Sequence, residues 1–412
     1  MRVLFLHQNF PGQFRHLAPA LVAAGHEVHA LAMHRNPVPA GVQLHVYGAE
    51  RPKGQPLPHP LLRDLESKVI RGEASARVLL ALQRAGWQPD LVIAHPGWGE
   101  ALFVKDLFPQ ARLLCLLEYY HGTPGSDVGF DPEFGVLDTD ARVRLRMRNL
   151  ALGDAMLTMD HGVAPTAWQA SRLPAVFRAR TSVVFDGIDT DALAPDPQAR
   201  FEWPALGLAL GPADPVVSFV NRNLEPYRGY HQFMRALPAL QRLVPGVQVV
   251  IVGGDGVSYG AAAPAGTTWR QRFLDEVADR VDLRRVHFTG LLPRLALTRL
   301  LQVARAHVYL TYPFVLSWSC LEAMSVGGHV VGSRTAPVSE FIEDGVNGTL
   351  VDFFDPQALA EATARVLLGA PGHDAALRAA ARRTVVARCD LQRVCLPQWL
   401  ALIDQVMAGR RR

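Results

Sequence analysis

Val3-Leu4-Phe5-Leu6, then His7-Gln8-Asn9-Phe10-Pro11-Gly12, then Gln13 to Ala24, Gly25, and Val28 to Ala32: this order of residues decides the fold. An apolar run of strand length is followed by a polar turn, a stretch with helical spacing, a glycine stop and a second apolar run. A strand that is apolar throughout is buried on both faces, as in a parallel sheet, and parallel neighbours need a crossover helix. The alternation continues outward. Val42 to Val46 reads as a weaker strand, Leu61 to Ala85 as a helix, and Leu91 to Ala94 and Leu113 to Leu117 as further strands. Residues 1–186 are therefore expected to form an α/β domain with a doubly wound parallel sheet.

Residues 187–215 hold many Pro, Gly, Asp and Ala residues and read as a linker or hinge. The alternation restarts at Val216-Val217-Ser218-Phe219-Val220. Apolar runs recur at Val247 to Val252, Val286 to Phe288, His307 to Leu310 and His329 to Gly332. A second doubly wound domain is expected over 216–390. The amphipathic stretch 391–412 is expected to fold back onto the first domain. Ligands of open parallel sheets bind beyond the carboxyl ends of the strands, so two such domains facing each other predict a cleft lined by those loops.

Composition narrows the function. A chain of 412 residues suits two domains rather than one core. With 49% hydrophobic and 19% charged residues it is not intrinsically disordered. A net charge of +4 is too small an excess to predict a nucleic-acid partner, yet it suits anionic ligands or a loose contact with anionic lipid, to which Arg410-Arg411-Arg412 would add. The four cysteines, Cys115, Cys320, Cys389 and Cys395, lack C-x-x-C spacing, which argues against a disulfide framework or zinc site and fits a reducing compartment. The first apolar run is too short for a signal h-region, and no apolar stretch is long enough to span a bilayer. A cytoplasmic location is expected, with at most peripheral contact at the inner face of the membrane. Nothing in the sequence sets an oligomeric state.

Three loops carry the chemistry. The loop His7 to Gln13 leaves a strand and opens a helix, so its N–H groups suit an anion, and Gly12 allows close backbone approach. It lacks G-x-G-x-x-G, which disfavours a dinucleotide site. Phe219-Val220-Asn221-Arg222-Asn223-Leu224-Glu225-Pro226-Tyr227-Arg228-Gly229 sets Arg222 and Arg228 on a loop directly after a strand. Guanidinium forks bind phosphate oxygens, and a departing diphosphate gains charge that fixed cations stabilise. In Ser317-Trp318-Ser319-Cys320-Leu321-Glu322-Ala323-Met324, Ser317 or Ser319 suits a helix N-cap. Glu322, within a turn of that start, is either a hydroxyl acceptor for sugar or ribose or a complement to the helix dipole. Asp138-Thr139-Asp140 and Asp189-Thr190-Asp191 spell Asp-x-Asp but read as an N-cap and a solvated turn, so no metal site is expected.

At these residues the chain resembles the retaining glycosyltransferases of family 4, which have the GT-B fold of two Rossmann-like domains. The resemblance runs through Arg222…Arg228-Gly229, with Arg for the family's Lys; Val252-Gly253-Gly254-Asp255; Val286-His287-Phe288-Thr289-Gly290; Leu321-Glu322-Ala323-Met324 with Gly327-Gly328; and Asp344-Gly345-Val346-Asn347-Gly348. The first half resembles a bacterial subgroup through His7-Gln8-Asn9-Phe10-Pro11-Gly12-Gln13-Phe14, His95-Pro96-Gly97-Trp98-Gly99-Glu100 and Asp127-Val128-Gly129-Phe130-Asp131-Pro132. One departure stands out. The first of the family's two glutamates, eight positions before Glu322, is here Phe314, which suggests a deoxy-sugar donor such as a 6-deoxyhexose.

The resemblance implies transfer of a sugar from a nucleotide diphosphate donor (UDP, GDP or TDP type) to a hydroxyl acceptor, with retention, no metal and no permanently bound cofactor. It implies Arg222, Arg228 and Glu322 as catalytic residues. Gly12, Asn223, Gly253, Gly290, Ser317, Ser319, Cys320 and Leu321 fall on the donor side. His95, Glu118 and Asp127 are acceptor-side candidates. The family also places a polar group near the reacting carbon, and here either Glu118 or His121 fills that place, with His121 preferred. The competing readings are a nucleotide-sugar epimerase, which would convert donor alone, and a non-catalytic nucleotide-sugar-binding subunit, motivated by Phe314.

Overall fold

Val3 and Phe5 enter one hydrophobic core while Leu4 and Leu6 enter another, so the first strand is buried on both faces, as its unbroken apolar run requires. The computed structural model describes every residue except Pro52, Lys53, Gln55, Pro124, Pro371 and residues 410–412. The Arg410-Arg411-Arg412 tail thus lies outside the described residues.

The chain divides into two compact units. The first contains β1 (Arg2–Leu6), β2 (Glu27–Ala32), β3 (Val42–Val46), β4 (Leu91–Ala94), β5 (Arg112–Leu116), β6 (His161–Ala164) and β7 (Thr181–Val183). They form one sheet in the order β3-β2-β1-β4-β5-β6-β7, and every pair is parallel. The order reverses between β1 and β4, which makes that crevice the switch point. Helix Arg63–Arg84 and the shorter helix Leu17–Ala23 are among the crossovers. The C-terminal helix Leu396–Ala408 also belongs here. Its Trp399, Leu402 and Ile403 join the core of Val3 and Phe5, and Trp399 Nε1 donates to the Phe185 carbonyl at 3.1 Å.

The second unit opens with the antiparallel hairpin β8 (Phe201–Trp203) and β9 (Leu208–Leu210). Its main sheet contains β10 (Val216–Asn223), β11 (Gln248–Gly254), β12 (Val286–Gly290), β13 (Ala306–Tyr309), β14 (His329–Ser333) and β15 (Thr349–Val351). The order is β12-β11-β10-β13-β14-β15, again parallel, with the switch point between β10 and β13. Val217 and Phe219 enter the main core with Tyr230, Phe233 and Leu237. Ser218 stays buried on β10 because its hydroxyl pairs with His307 Nδ1 at 2.9 Å, and burial pushes that histidine down to about 3.

The expected linker differs from what is observed. The whole segment Ile188–Asp390 belongs to the second unit, hairpin included. Nor is Asp189-Thr190-Asp191 a wholly solvated turn: Thr190 is 1% exposed and its hydroxyl bonds the buried Asp390. Asp138 does cap the helix Thr139–Arg148, accepting from Ala141 N–H at 2.7 Å.

A second difference is Phe130–Phe134, which joins the second unit although its neighbours in sequence do not. Phe130 packs on Tyr312 and Phe353, and Phe134 on Trp269 and His231. Asp131 accepts from the Tyr312 hydroxyl at 2.9 Å and lies 3.0 Å from His231 Nε2. Glu133 takes both forks of Arg235, at 2.7 and 2.9 Å. The ligand atoms of Asp131, Glu133 and His231 lie within 4.8 Å of one another, and Arg235 already neutralises one of the three.

The four cysteines are buried free thiols. No described helix is long and apolar enough to cross a membrane.

One ion pair gives a pH prediction. Asp374, half-buried as a residue but with its side chain largely covered, is 2.7 Å from His329 Nδ1 and accepts from Arg378 Nε at 2.9 Å. Burial opposes its ionisation, but these two partners hold its carboxyl well below the usual carboxylate range. A carboxyl depressed in the folded state stabilises the fold above its unfolded pKa of about 3.9 and loses that contribution as pH falls toward the folded value. Asp374→Asn is therefore expected to cost about 1.5–3 kcal/mol at pH 7 and clearly less at pH 2, read by urea denaturation at both pH values. An equal loss at both would refute the assignment.

Candidate functional site

In the second unit, β10 runs into a turn of 3-10 helix at Pro226–Arg228. Gly229 closes that turn at φ +67°, where a Cβ would come within 2.3 Å of Leu310 Cβ, so the position needs glycine. The turn buries Arg228 to 4% exposure at the switch point. Its Nη1 donates to Tyr309 Oη at 3.2 Å, Thr311 Oγ1 at 2.8 Å and the Val315 carbonyl at 2.9 Å. The guanidinium lies 5.0 Å from the ring centre of Tyr259 and 5.8 Å from that of Phe314. All these partners are neutral, so a permanently charged group is held rigidly without a carboxylate among them. Arg222, by contrast, is exposed near the end of β10.

Tyr259 is held there by Glu225, to which the sequence assigned no role, and by Asn223. Glu225 Oε2 accepts from the backbone N–H groups of Ser258, Tyr259 and Gly260 at 3.2–3.3 Å. Asn223 donates to Ser258 Oγ at 2.7 Å and accepts from Gly256 N–H at 3.1 Å. Both ends of the Asn223 amide are thus engaged in bracing this loop. Gly253 ends β11 against Leu224, and Gly290 ends β12.

The helix Trp318–Ser325 starts beside Arg228. Its start is less open than expected. Ser317 N–H donates to Tyr309 Oη at 2.7 Å, and Cys320 N–H returns to the Ser317 carbonyl at 3.3 Å. Ser317 makes no side-chain cap, and Ser319 Oγ turns to the Val220 carbonyl and Ser317 Oγ. Cys320 and Leu321 are fully buried, so their side chains are core. Glu322 is 3% exposed and pairs with Arg294 Nη1 at 2.5 Å. Arg294 was not foreseen, because its partner lies 28 residues away. Phe314 packs into the aromatic group, 4.9 Å from Tyr259 and 5.5 Å from Tyr227.

In the first unit, three adjacent strands end in polar residues. His7 follows β1, His95 follows β4, and Glu118 lies just beyond β5. The register pairs Leu6 with Ala94 and Ala94 with Cys115, so the three residues emerge side by side. His95 Nε2 lies 3.1 Å from Glu118 Oε2, and Gln13 Nε2 donates to Glu118 Oε1 at 2.9 Å. Burial opposes ionisation of Glu118, but the contacts with His95 and Gln13 outweigh it and hold the carboxyl below its ordinary range. His95 is stacked on Trp98 at 4.0 Å. Gly12, at φ +47°, backs directly onto the His7 ring, where a Cβ would come within 2.4 Å.

His121 is held elsewhere. Its backbone N–H and carbonyl both bond the Asn149 amide, and its Nδ1 lies 3.8 Å from Asp127. Burial pushes its pKa down against the pull of Asp127. Asp127 is itself buried and accepts from Tyr119 at 2.8 Å, so it braces this loop. Of the polar candidates in this unit, the structure therefore brings together His95 and Glu118 and adds His7 and Gln13. It leaves His121 and Asp127 as a separate pair.

A family model described as Glycosyl transferase family 4 group matches residues 24–193, and one described as Glycosyl transferases group 1 matches residues 209–384. The chain is of the family 4 glycosyltransferase type. Among curated relatives of this GT4-type chain is the D-inositol 3-phosphate glycosyltransferase of Mycobacterium marinum, 29% identical over 61% of this chain and 52% of that protein. The Mycobacterium avium protein of the same name is 33% identical over 52% of this chain and 47% of its own length. The chain thus spans about half the length of these relatives. Sucrose-phosphate synthase from Thermosynechococcus elongatus superposes with a TM-score of 0.74 at 18% identity, covering 99% of this chain and all of that one. Anabaena HepE, solved with UDP and glucose, gives 0.65 at 18% identity, covering 98% and 100%. These likenesses establish the GT-B fold.

Proposed function

We propose that this GT4-type chain transfers a glycosyl group from a nucleotide diphosphate sugar to a hydroxyl acceptor, with retention and without a metal. The observation that carries the proposal is Arg228, buried and charged at the switch point of the second sheet, whose hydrogen bonds to Tyr309, Thr311 and Val315 all go to neutral groups while the Glu225 carboxylate acts on it through space. Such a site suits an anion that gains charge as it leaves. Arg228 would hold the departing diphosphate, with Arg222 as an exposed second cation. Glu322, fixed by Arg294, would accept from a ribose or sugar hydroxyl through its second oxygen. Glu118, rather than His121, would face the substrate from the first unit, since it stands at that unit's switch point. The Anabaena complex with UDP and glucose supports a UDP-type donor, and the mycobacterial relatives support a hydroxyl acceptor. A cytoplasmic site of action, with loose contact at the inner membrane face, agrees with the net charge of +4.

The test is a panel of nucleotide sugars read by thermal shift and then by turnover. A true donor raises the melting temperature by mass action and is consumed faster when a hydroxyl acceptor is added. Conversion of donor alone would favour epimerisation. Binding without turnover would favour a non-catalytic subunit, the reading that Phe314 supports. A 6-deoxyhexose donor should be preferred over glucose if the Phe314 ring lies against the sugar. Equal use of the two would count against that.

A further inference from the structure

We propose that Gln13, clamped by His7, is a positioning residue that fixes the Glu118 carboxylate as an ionised acceptor for a substrate hydroxyl. This rests on the sugar-transfer reading. The direction of every hydrogen bond follows from two backbone donors. Asn9 N–H donates to His7 Nδ1 at 3.0 Å, so Nδ1 carries no proton and a neutral His7 has its proton on Nε2. That Nε2–H can only donate to its neighbour, Gln13 Oε1, at 2.8 Å. The Gln13 amide is thereby oriented with its NH₂ toward Glu118 Oε1. In the same way Gly97 N–H donates to His95 Nδ1 at 3.3 Å, which leaves the His95 Nε2–H for Glu118 Oε2. Each carboxylate oxygen thus receives one fixed N–H and keeps lone-pair capacity for another donor.

The arrangement resists reversal. Burial pushes His7 down to about 3, so it stays neutral, and protonating Nδ1 would set it against the Asn9 N–H. Gly12 leaves the ring the space it needs. Gln169, on the helix Ala167–Arg172, also reaches Glu118, but its amide donates to the backbone carbonyl and not to the carboxylate. The Glu118 side chain remains 32% exposed, so a hydroxyl can reach it. A carboxylate held ionised by two donors is a poor base and a good acceptor, which suits orienting a hydroxyl over removing its proton.

Gln13→Met keeps the side-chain length and removes both amide contacts. His7→Phe keeps the ring and releases the amide. Titration of Glu118 in the full-length chain, by carbon-13 carboxyl resonances assigned with Glu118→Gln, should show a higher pKa in both variants than in the parent. With the nucleotide sugar selected by the panel, kcat should fall about tenfold in Gln13→Met, with its acid limb moved to higher pH and the affinity for UDP alone unchanged. An unshifted Glu118 titration in a folded variant overturns the clamp, whether or not the chain transfers sugar. A shifted titration with an unmoved rate profile overturns the role of Glu118 at the substrate. If no sugar is transferred at all, the functional reading fails while the titration still decides the clamp.

Discussion

Arg228→Ala is expected to lower the turnover of a nucleotide sugar by about 10²–10³-fold, equivalent to ~2–4 kcal/mol of transition-state stabilisation. The size follows from the setting. The guanidinium is 4% exposed, it faces aromatic rings rather than solvent, and its own hydrogen bonds go to two hydroxyls and a carbonyl. An ion so placed needs no reorganisation when charge builds on a leaving diphosphate, and the low local dielectric amplifies the interaction. The same burial gives the substitution a structural cost. The Tyr309 and Thr311 hydroxyls and the Val315 carbonyl would each lose a hydrogen bond, although Tyr309 keeps that from Ser317 N–H, and a buried group left unmatched costs about 1–3 kcal/mol. The rate must therefore be measured well below the melting temperature, with folding checked by circular dichroism. Arg228→Lys separates the two effects. It keeps the charge but loses the fork, so it should recover part of the rate. A folded Arg228→Ala protein with full turnover would remove the diphosphate assignment.

Much of the architecture could be read from periodicity, because strands buried on both faces leave unbroken apolar runs such as Val3 to Leu6 and Val216 to Val220. What escaped were elements without that signature. β6 is His161-Gly162-Val163-Ala164, too short and too small in side chain to stand out. Phe130–Phe134 looks like loop by composition, and only its contacts with Tyr312, Trp269 and His231 assign it to the second unit. The hairpin Phe201–Leu210 was masked by the surrounding prolines and glycines. The candidate sites divide in the same way. Arg228 and Glu322 stand in recognisable stretches, whereas their partners Tyr309, Thr311 and Arg294 are joined to them only by folding. His7 and Gln13 stood in the quoted first loop, but spacing along the chain cannot show that a ring six residues before an amide fixes its orientation.

Trp399→Ala should destabilise the first unit by about 3–5 kcal/mol, the usual cost of emptying a large aromatic site in a core. Trp399 is 4% exposed and shares a core with Val3, Phe5 and Phe14, at the opposite end of the chain. Its indole N–H also donates to the Phe185 carbonyl at 3.1 Å, so the substitution removes a buried hydrogen bond as well as leaving a void. The neighbouring Asp404 and Gln405 are exposed, and alanine there should change stability by no more than about 0.5 kcal/mol. Amide hydrogen exchange separates the alternatives. Protection should fall at β1 and β4, whose apolar residues Val3, Phe5, Leu91 and Ile93 form that core, and should hold at β10 and β13. A loss below about 1 kcal/mol would mean that the helix merely lies on the sheet. The predicted size implies instead that Phe10, Phe14, Leu17 and Leu21 cover that face of the central strand only in part, and that the core of the first unit is completed by residues beyond 390.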